Sequence, residues 1–134
     1  MFPPSTCLPT VAGCYHVPPS PSTWEEAGQE CEGLGGGLAE IQGSEEQAAI
    51  LQHLNTTEAL QGRDLWLSLA AVEGAWRWLS GRLVGAGWAN WAAGQPDGPG
   101  AAGDCAALTG PEGRWAARPC ADTLQALCQK GPSC

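Results

Sequence analysis

Residues 88–120 read WANWAAGQPDGPGAAGDCAALTGPEGRWAARPC. The stretch holds three of the seven tryptophans, two cysteines (Cys105 and Cys120) and a Gln95-Pro96-Asp97 turn. From Arg82 to Gly103 there is little periodicity and many small residues, so this part reads as a long loop. Loops of that length in compact domains are usually functional or disordered. Aromatic and cysteine content on this scale implies anchoring, and an anchored loop on a rigid scaffold is a common seat of binding.

Outward from this loop the chain reads as scaffold. Leu65-Trp66-Leu67-Ser68-Leu69 is a compact apolar run expected as a buried strand, and Glu73-Gly74 turns the chain. Ala75-Trp76-Arg77-Trp78-Leu79 alternates as the next strand, ended by Ser80-Gly81. Cys105–Thr109, Arg114–Ala116 and Leu124–Cys128 are expected as three more short strands. Trp66, Trp76, Trp78 and Trp115 are assigned to core packing. Trp88 and Trp91 are either plugs for the loop or a face for a ligand, with the core preferred for Trp91.

At the other end, Cys7 and Cys14 bracket a piece that could form a small disulfide-closed hairpin, and Cys14–Val17 reads as a strand ended by Pro18, Pro19 and Pro21. Ser22 or Thr23 can cap a helix, with Glu25 or Glu26 as the reciprocal partner. Trp24, Ala27 and Cys31 fall on one face of that helix, and the run Gly33–Gly37 stops it. Leu38–Ile41 is expected as a short strand. Ser44–Gln47 reads as a second capping box, opening a helix with Ala48, Leu51 and Leu54 on its apolar face. Asn55–Arg63 reads as a polar connection.

The bulk properties narrow the function. The 134 residues suit one domain, and 43% hydrophobic content with seven Trp argues against disorder. A net charge of −8 repels phosphate backbones and anionic membrane surfaces, which excludes nucleic acid as a partner. Glu25, Glu26, Glu30, Glu32, Glu45 and Glu46 read as solvated helix faces. Seven dispersed cysteines without a Cys-x-x-Cys pair read as a disulfide framework, hence an extracellular setting. Asn55-Thr56-Thr57 is an N-glycosylation sequon in keeping with that setting. No signal peptide or membrane-spanning run is visible, so a mature or excised domain with an added Met1 is expected. His16 and His53 lie apart, and no nucleophile or metalloprotease motif accompanies them, so no enzyme is expected.

The order of the motifs carries more than any one of them. The series Cys14-Tyr15, Trp24-Glu25-Glu26-Ala27, Cys31, Gly36-Gly37, Trp66-Leu67-Ser68-Leu69, Gly74-x-Trp76-x-Trp78, Asn90-Trp91, Gln95-Pro96-Asp97, Asp104-Cys105, Gly113-x-Trp115, Cys120 and Leu127-Cys128 resembles the C-type lectin domain family. The resemblance runs from Cys7 to Cys128. It implies an α+β fold with two helices flanking small antiparallel sheets, a long loop and disulfide staples. It also implies the pairs Cys31–Cys128 and Cys105–Cys120, with Cys7–Cys14 marking the long form. Cys134 is then left unpaired, available for an inter-chain link, a disulfide-linked dimer or further domains. The domain is expected over 7–130, with residues 1–6 as an extension and 131–134 as a tail.

Family members that bind sugar through calcium draw its ligands from three elements. The first, a Gln/Glu-Pro-Asp/Asn turn, is present as Gln95-Pro96-Asp97, in the form that resembles the galactose-preferring subset. The other two are not. Gly103 stands where a Glu precedes the third framework cysteine, and Ala116-Ala117 replace Asn-Asp after Trp115. Calcium takes six to eight oxygens, and Gln95, Asp97 and Asp104 supply about two or three. No metal or other cofactor is therefore expected. The chain reads as a recognition domain for a protein or glycan, with Trp88, Asn90, Gln95, Asp97, Asp104 and Arg114 as candidate ligand contacts. The alternatives are a calcium-dependent galactose-type lectin and a structural ectodomain module. Gln95 and Asp97 could equally be a plain turn pair, and Arg114 and Arg118 could simply balance nearby acids.

Overall fold

The computed structural model describes residues 7–8, 13–41, 43–56, 64–72, 75–79, 91–92, 104–109 and 113–130. Among the described residues, nine strands and two helices follow in the order β1 (Cys7–Leu8), β2 (Gly13–His16), α1 (Trp24–Gly33), β3 (Gly37–Leu38), α2 (Ser44–Thr56), β4 (Asp64–Val72), β5 (Ala75–Trp78), β6 (Cys105–Thr109), β7 (Arg114–Arg118), β8 (Gln125–Ala126) and β9 (Cys128–Lys130). The α+β C-type lectin-like fold is the one its motif order implies.

Two sheets organise these elements. The first has the order β1-β2-β9-β3 and is antiparallel throughout, so β9 joins the beginning of the domain to its end, with Tyr15 opposite Gln129 and Leu38 opposite Cys128. The second runs β5-β4-β6-β7, with β8 added parallel to β4. β4 is the spine. Leu65, Leu67 and Leu69 point into one cluster with Tyr15, Ile41, Ile50, Trp76, Trp78, Leu108 and Trp115. Trp66 points into a second cluster with Ala27, Cys31, Leu38, Cys105 and Cys128. Burial on both faces is why this strand is a continuous apolar run.

Helix α1 begins where the capping pattern allowed. Thr23 is the N-cap, the Glu26 N–H donates to its Oγ1 at 3.3 Å, and the Thr23 N–H donates back to Glu26 Oε1 at 3.1 Å. The reciprocal cap fixes the helix phase, contributing about 1 kcal/mol. That phase buries Ala27 and Cys31. Cys31 then meets Cys128 in a disulfide, with both residues fully buried.

Several expectations need correction. Helix α2 continues to Thr56, so Asn55 stands in its last turn and not in a connection. Ser44 is already helical, and Gln47 does not close a capping box, because its carboxamide is used inside the core. The inward face of α2 is carried by Gln47, Ile50 and the half-buried Leu51, whereas Ala48 is exposed. The strand expected over Leu38–Ile41 is reduced to Gly37–Leu38, although the Ala39 N–H still donates to Leu127 O at 2.8 Å. The strand expected over Leu124–Cys128 divides at Leu127, since Gln125-Ala126 pairs with β4 of one sheet and Cys128–Lys130 with β2 and β3 of the other. Leu127 spans the crossing with its N–H on Trp66 O at 3.2 Å. The Cys7–Cys14 pair is opposed in the β1–β2 register, but the two side chains, like Cys134, lie outside the described residues.

Candidate functional site

The long segment leaves the second sheet after β5, touches it again at Trp91-Ala92, and rejoins it at Asp104-Cys105. Each described point of attachment is built from aromatic rings, backbone hydrogen bonds or a disulfide. Trp91 bridges Trp115 as a parallel partner, and the Ala92 N–H donates to Trp115 O at 2.8 Å. The Trp91 ring lies 5.1 Å from Trp76 at 60° and 5.7 Å from Trp115 at 80°, and Trp115 meets Trp78 edge-on at 5.3 Å. These are the tilted and T-shaped arrangements that aromatic quadrupoles favour. Trp91 is therefore a plug for the loop, as preferred from the sequence, and only half-buried.

The return of the segment is clamped twice. The Ala71 N–H donates to Asp104 O at 2.7 Å, and Cys105 is disulfide-bonded to Cys120 with Cα atoms 5.2 Å apart. Cys120 is fixed in turn by its carbonyl, which accepts from the Trp24 N–H at 3.1 Å in the first turn of α1.

Strand β7 forms the floor beside Trp91. Ala116 is half-buried and Ala117 is 4% exposed. Both present methyl groups, with no side-chain oxygen for a cation. Among the described residues no group of three His, Cys, Asp or Glu side chains could hold a metal. Asp104 is exposed at the start of β6, whereas Arg114 is exposed at the far end of the hairpin, opposite Thr109. Arg114 is level with Thr109, five residue steps along the strand from Asp104 and so about 17 Å away, and these two candidates do not form one cluster. Trp88, Asn90, Gln95 and Asp97 lie outside the described residues, as does Gly103. Arg118 forms ion pairs with Asp64 and Asp122, the second at 3.3 Å, so it does balance nearby acids.

A buried polar knot supports the floor from beneath. Gln47, 8% exposed, donates from Nε2 to Gly113 O at 2.8 Å and accepts the Trp115 Nε1–H at 3.3 Å. Gly113 has φ 74°, and a Cβ there would lie 2.6 Å from Gln47 Nε2 and 2.8 Å from Leu51 Cδ1. Gln47 escaped sequence reasoning because a glutamine at the start of a helix looks like a capping residue. The Gly113-x-Trp115 pair was the signal beside it.

Comparison with known proteins agrees with this geometry. The family model for the lectin C-type domain matches residues 20–130. The chain belongs to the C-type lectin domain family. It is 32% identical over 123 residues to human C-type lectin domain family 10 member A, a match covering 88% of this chain and 37% of that protein. The carbohydrate-recognition domain of mouse scavenger receptor C-type lectin superposes with a TM-score of 0.81 at 28% identity, covering 98% of each chain. The C-type lectin domain of murine dendritic cell inhibitory receptor 2, solved in complex with N-glycan, superposes with a TM-score of 0.78 at 26% identity, covering 96% of this chain and 98% of that one. The chain spans 37% to 44% of the length of three curated relatives it matches. C-type lectin domains are non-enzymatic recognition modules, and this one is extracellular, the setting in which its two described disulfides persist.

Proposed function

We propose that this C-type lectin domain recognises a glycan through the face where the 80–103 segment meets β7, without the family's calcium cage. The observation that carries the reading is the pair Ala116-Ala117. The strand beside the anchored loop offers two methyl groups where calcium would need oxygen ligands, and one of them is buried. The relative bound to N-glycan supports a sugar as the ligand. Trp88, Asn90, Gln95, Asp97 and Asp104 are the residues we assign to contact it. Arg114, displaced along the hairpin, is assigned to an outer contact with an extended ligand or with a protein that presents it. A calcium-dependent galactose-type lectin is the second reading, favoured by Gln95-Pro96-Asp97.

The test is binding to immobilised galactose-terminated and N-glycan probes, in Ca²⁺ and in EDTA, with thermal melting in both buffers. The proposal expects sugar binding and a melting temperature that are equal in the two. Elution by EDTA with a Ca²⁺-dependent rise in melting temperature would establish the second reading instead. Binding to neither probe would overturn both.

A further inference from the structure

The two described disulfides differ in access. Cys31 and Cys128 are both fully buried in the second core cluster. Cys105 is 2% exposed, but its partner Cys120 is half-buried. Cys120 also lines a cavity of about 510 Å³ together with Thr23, Trp24, Glu25 and Ala121. We propose that Cys105–Cys120 is a redox-labile bond, opened by small thiol reductants that enter this cavity and attack Cys120, and that its opening loosens the return of the long segment.

Disulfide exchange needs access to one sulfur and an outlet for the other. The cavity supplies the access, and its wall is fixed. The Trp24 indole N–H donates to Leu67 O at 2.8 Å, and the Trp24 backbone N–H donates to Cys120 O at 3.1 Å. The outlet is Cys105. Arg118 stands directly opposite it in the β6–β7 register, so the two side chains share a face. A neighbouring cation favours a leaving thiolate, an effect moderated here by the ion pairs of Arg118 with Asp64 and Asp122. The thiolate of a dithiol would attack Cys120 Sγ, forming a mixed disulfide and expelling Cys105 as a thiolate, which takes up a proton. The second thiol of the reductant would then attack its own sulfur in the mixed bond, closing a cyclic disulfide and freeing Cys120 as a thiol. Two electrons and two protons pass from the dithiol to the cysteine pair.

The bond ties the corner at Asp104-Cys105 to the chain that leaves β7. After reduction the Ala71–Asp104 hydrogen bond and the register of β6 with β4 and β7 would still hold the sheet together. What is lost is the covalent half of the clamp. Cys31–Cys128, by contrast, joins α1 to β9 inside the core, so reaching either sulfur requires a larger opening. Reduction of Cys105–Cys120 would therefore weaken recognition at the long segment. That last consequence rests on the proposed function; the lability of the bond does not.

The experiment blocks free thiols, treats the native full chain with dithiothreitol, quenches with iodoacetamide and maps the alkylated cysteines by mass spectrometry. Cys105 and Cys120 should be alkylated at least about tenfold faster than Cys31 and Cys128, a ratio equivalent to about 1.4 kcal/mol of additional opening free energy. With glutathione, an anionic monothiol, the mixed disulfide should be trapped on Cys120 and not on Cys105. Cysteamine, a cationic monothiol, should react faster because Glu25 lines the cavity, and Glu25→Gln should narrow the ratio between the two. Proteolysis within 80–103 should accelerate once the pair is alkylated, while sites in α1 and β9 stay protected. Equal opening of the two disulfides, earlier opening of Cys31–Cys128, adducts on Cys105, or an unchanged thiol ratio in Glu25→Gln would overturn the proposed route. Unchanged proteolysis within 80–103 would overturn the coupling to the long segment. None of these readouts uses a ligand, so they succeed or fail independently of the proposed function.

Discussion

Gln47 and Trp115, 68 residues apart, share a buried hydrogen bond of 3.3 Å from the indole N–H to the carboxamide oxygen. The same carboxamide donates to Gly113 O, so one side chain from α2 satisfies two groups at the root of β7. Replacing Gln47 with Leu keeps the volume and strips both partners. A buried polar group left unpaired costs about 1–3 kcal/mol, so Gln47→Leu should destabilise the domain by about 2–4 kcal/mol. Urea denaturation followed by Trp fluorescence measures it. A loss under about 0.5 kcal/mol, the usual limit for a neutral surface change, would mean that water replaces the carboxamide.

Gly113 should tolerate no side chain. Its φ of 74° already disfavours an L-residue, and the added Cβ would press on Gln47 Nε2 and Leu51. Left-handed backbone costs about 1–2 kcal/mol and overpacking about 1–3 kcal/mol more. Gly113→Ala is expected to lower the melting temperature more than Gly33→Ala, whose Cβ would meet nothing within 4 Å. Equal shifts for the two would show that the turn relaxes freely.

Trp91 is the ring that ties the long segment to the sheet, through Trp76 on one side and Trp115 on the other. Truncating a core Trp costs about 3–5 kcal/mol; for this half-buried ring we expect about 2–3 kcal/mol from Trp91→Ala and roughly half that from Trp91→Phe. Limited proteolysis supplies the second readout. Cleavage within 80–103 should accelerate in Trp91→Ala while sites in α1 and β9 stay protected. Uniform acceleration across the chain would make Trp91 an ordinary core residue and not a loop anchor.

Most of this architecture was legible from residue order alone, because each motif encodes a local physical need. The Thr23–Glu26 cap and the Ala27 and Cys31 phase of α1 follow from helical geometry. The run Leu65–Leu69 announces a strand buried on both faces. What stayed hidden were features set by distant partners. Gln47 at the start of α2 signals capping until Trp115 and Gly113 arrive to claim its amide. The break at Leu127 appears only once two sheets compete for one strand. At the site, the missing oxygens at Ala116 and Ala117 were plain in the sequence. The aromatic layer joining Trp76, Trp91 and Trp115 was not, since periodicity says nothing about which rings meet across a long loop.

The two described disulfides should differ in their contributions. They close sequence separations of 97 residues for Cys31–Cys128 and 15 for Cys105–Cys120. Loop-closure entropy assigns these about 4.7 and about 3 kcal/mol. Replacing each pair by two alanines should therefore cost more stability for Cys31–Cys128, whose cysteines also fill the second core cluster. Equilibrium denaturation of the two double variants checks the order, and the reverse order would show that the clamp at Asp104-Cys105 carries more of the fold than chain entropy assigns to it.

Alkaline pH should weaken the fold through Tyr15. Its phenol is fully buried and has no hydrogen-bond partner among the described residues, and its pKa is raised from 10.0 to about 12, first by burial and then by the negative charge of Glu46. The raised value means that the folded state holds the proton more tightly than the unfolded chain. The associated stability is fully present below the unfolded pKa of 10.0 and is lost as pH climbs through the folded value near 12. A shift of this size corresponds to a loss of up to about 3 kcal/mol across the window. Tyr15→Phe removes the titrating group and the unpaired hydroxyl together. It should be at least as stable as wild type at neutral pH, with a flatter decline of the urea midpoint between pH 10.0 and about 12. Parallel declines in the two proteins would place the alkaline transition elsewhere in the chain.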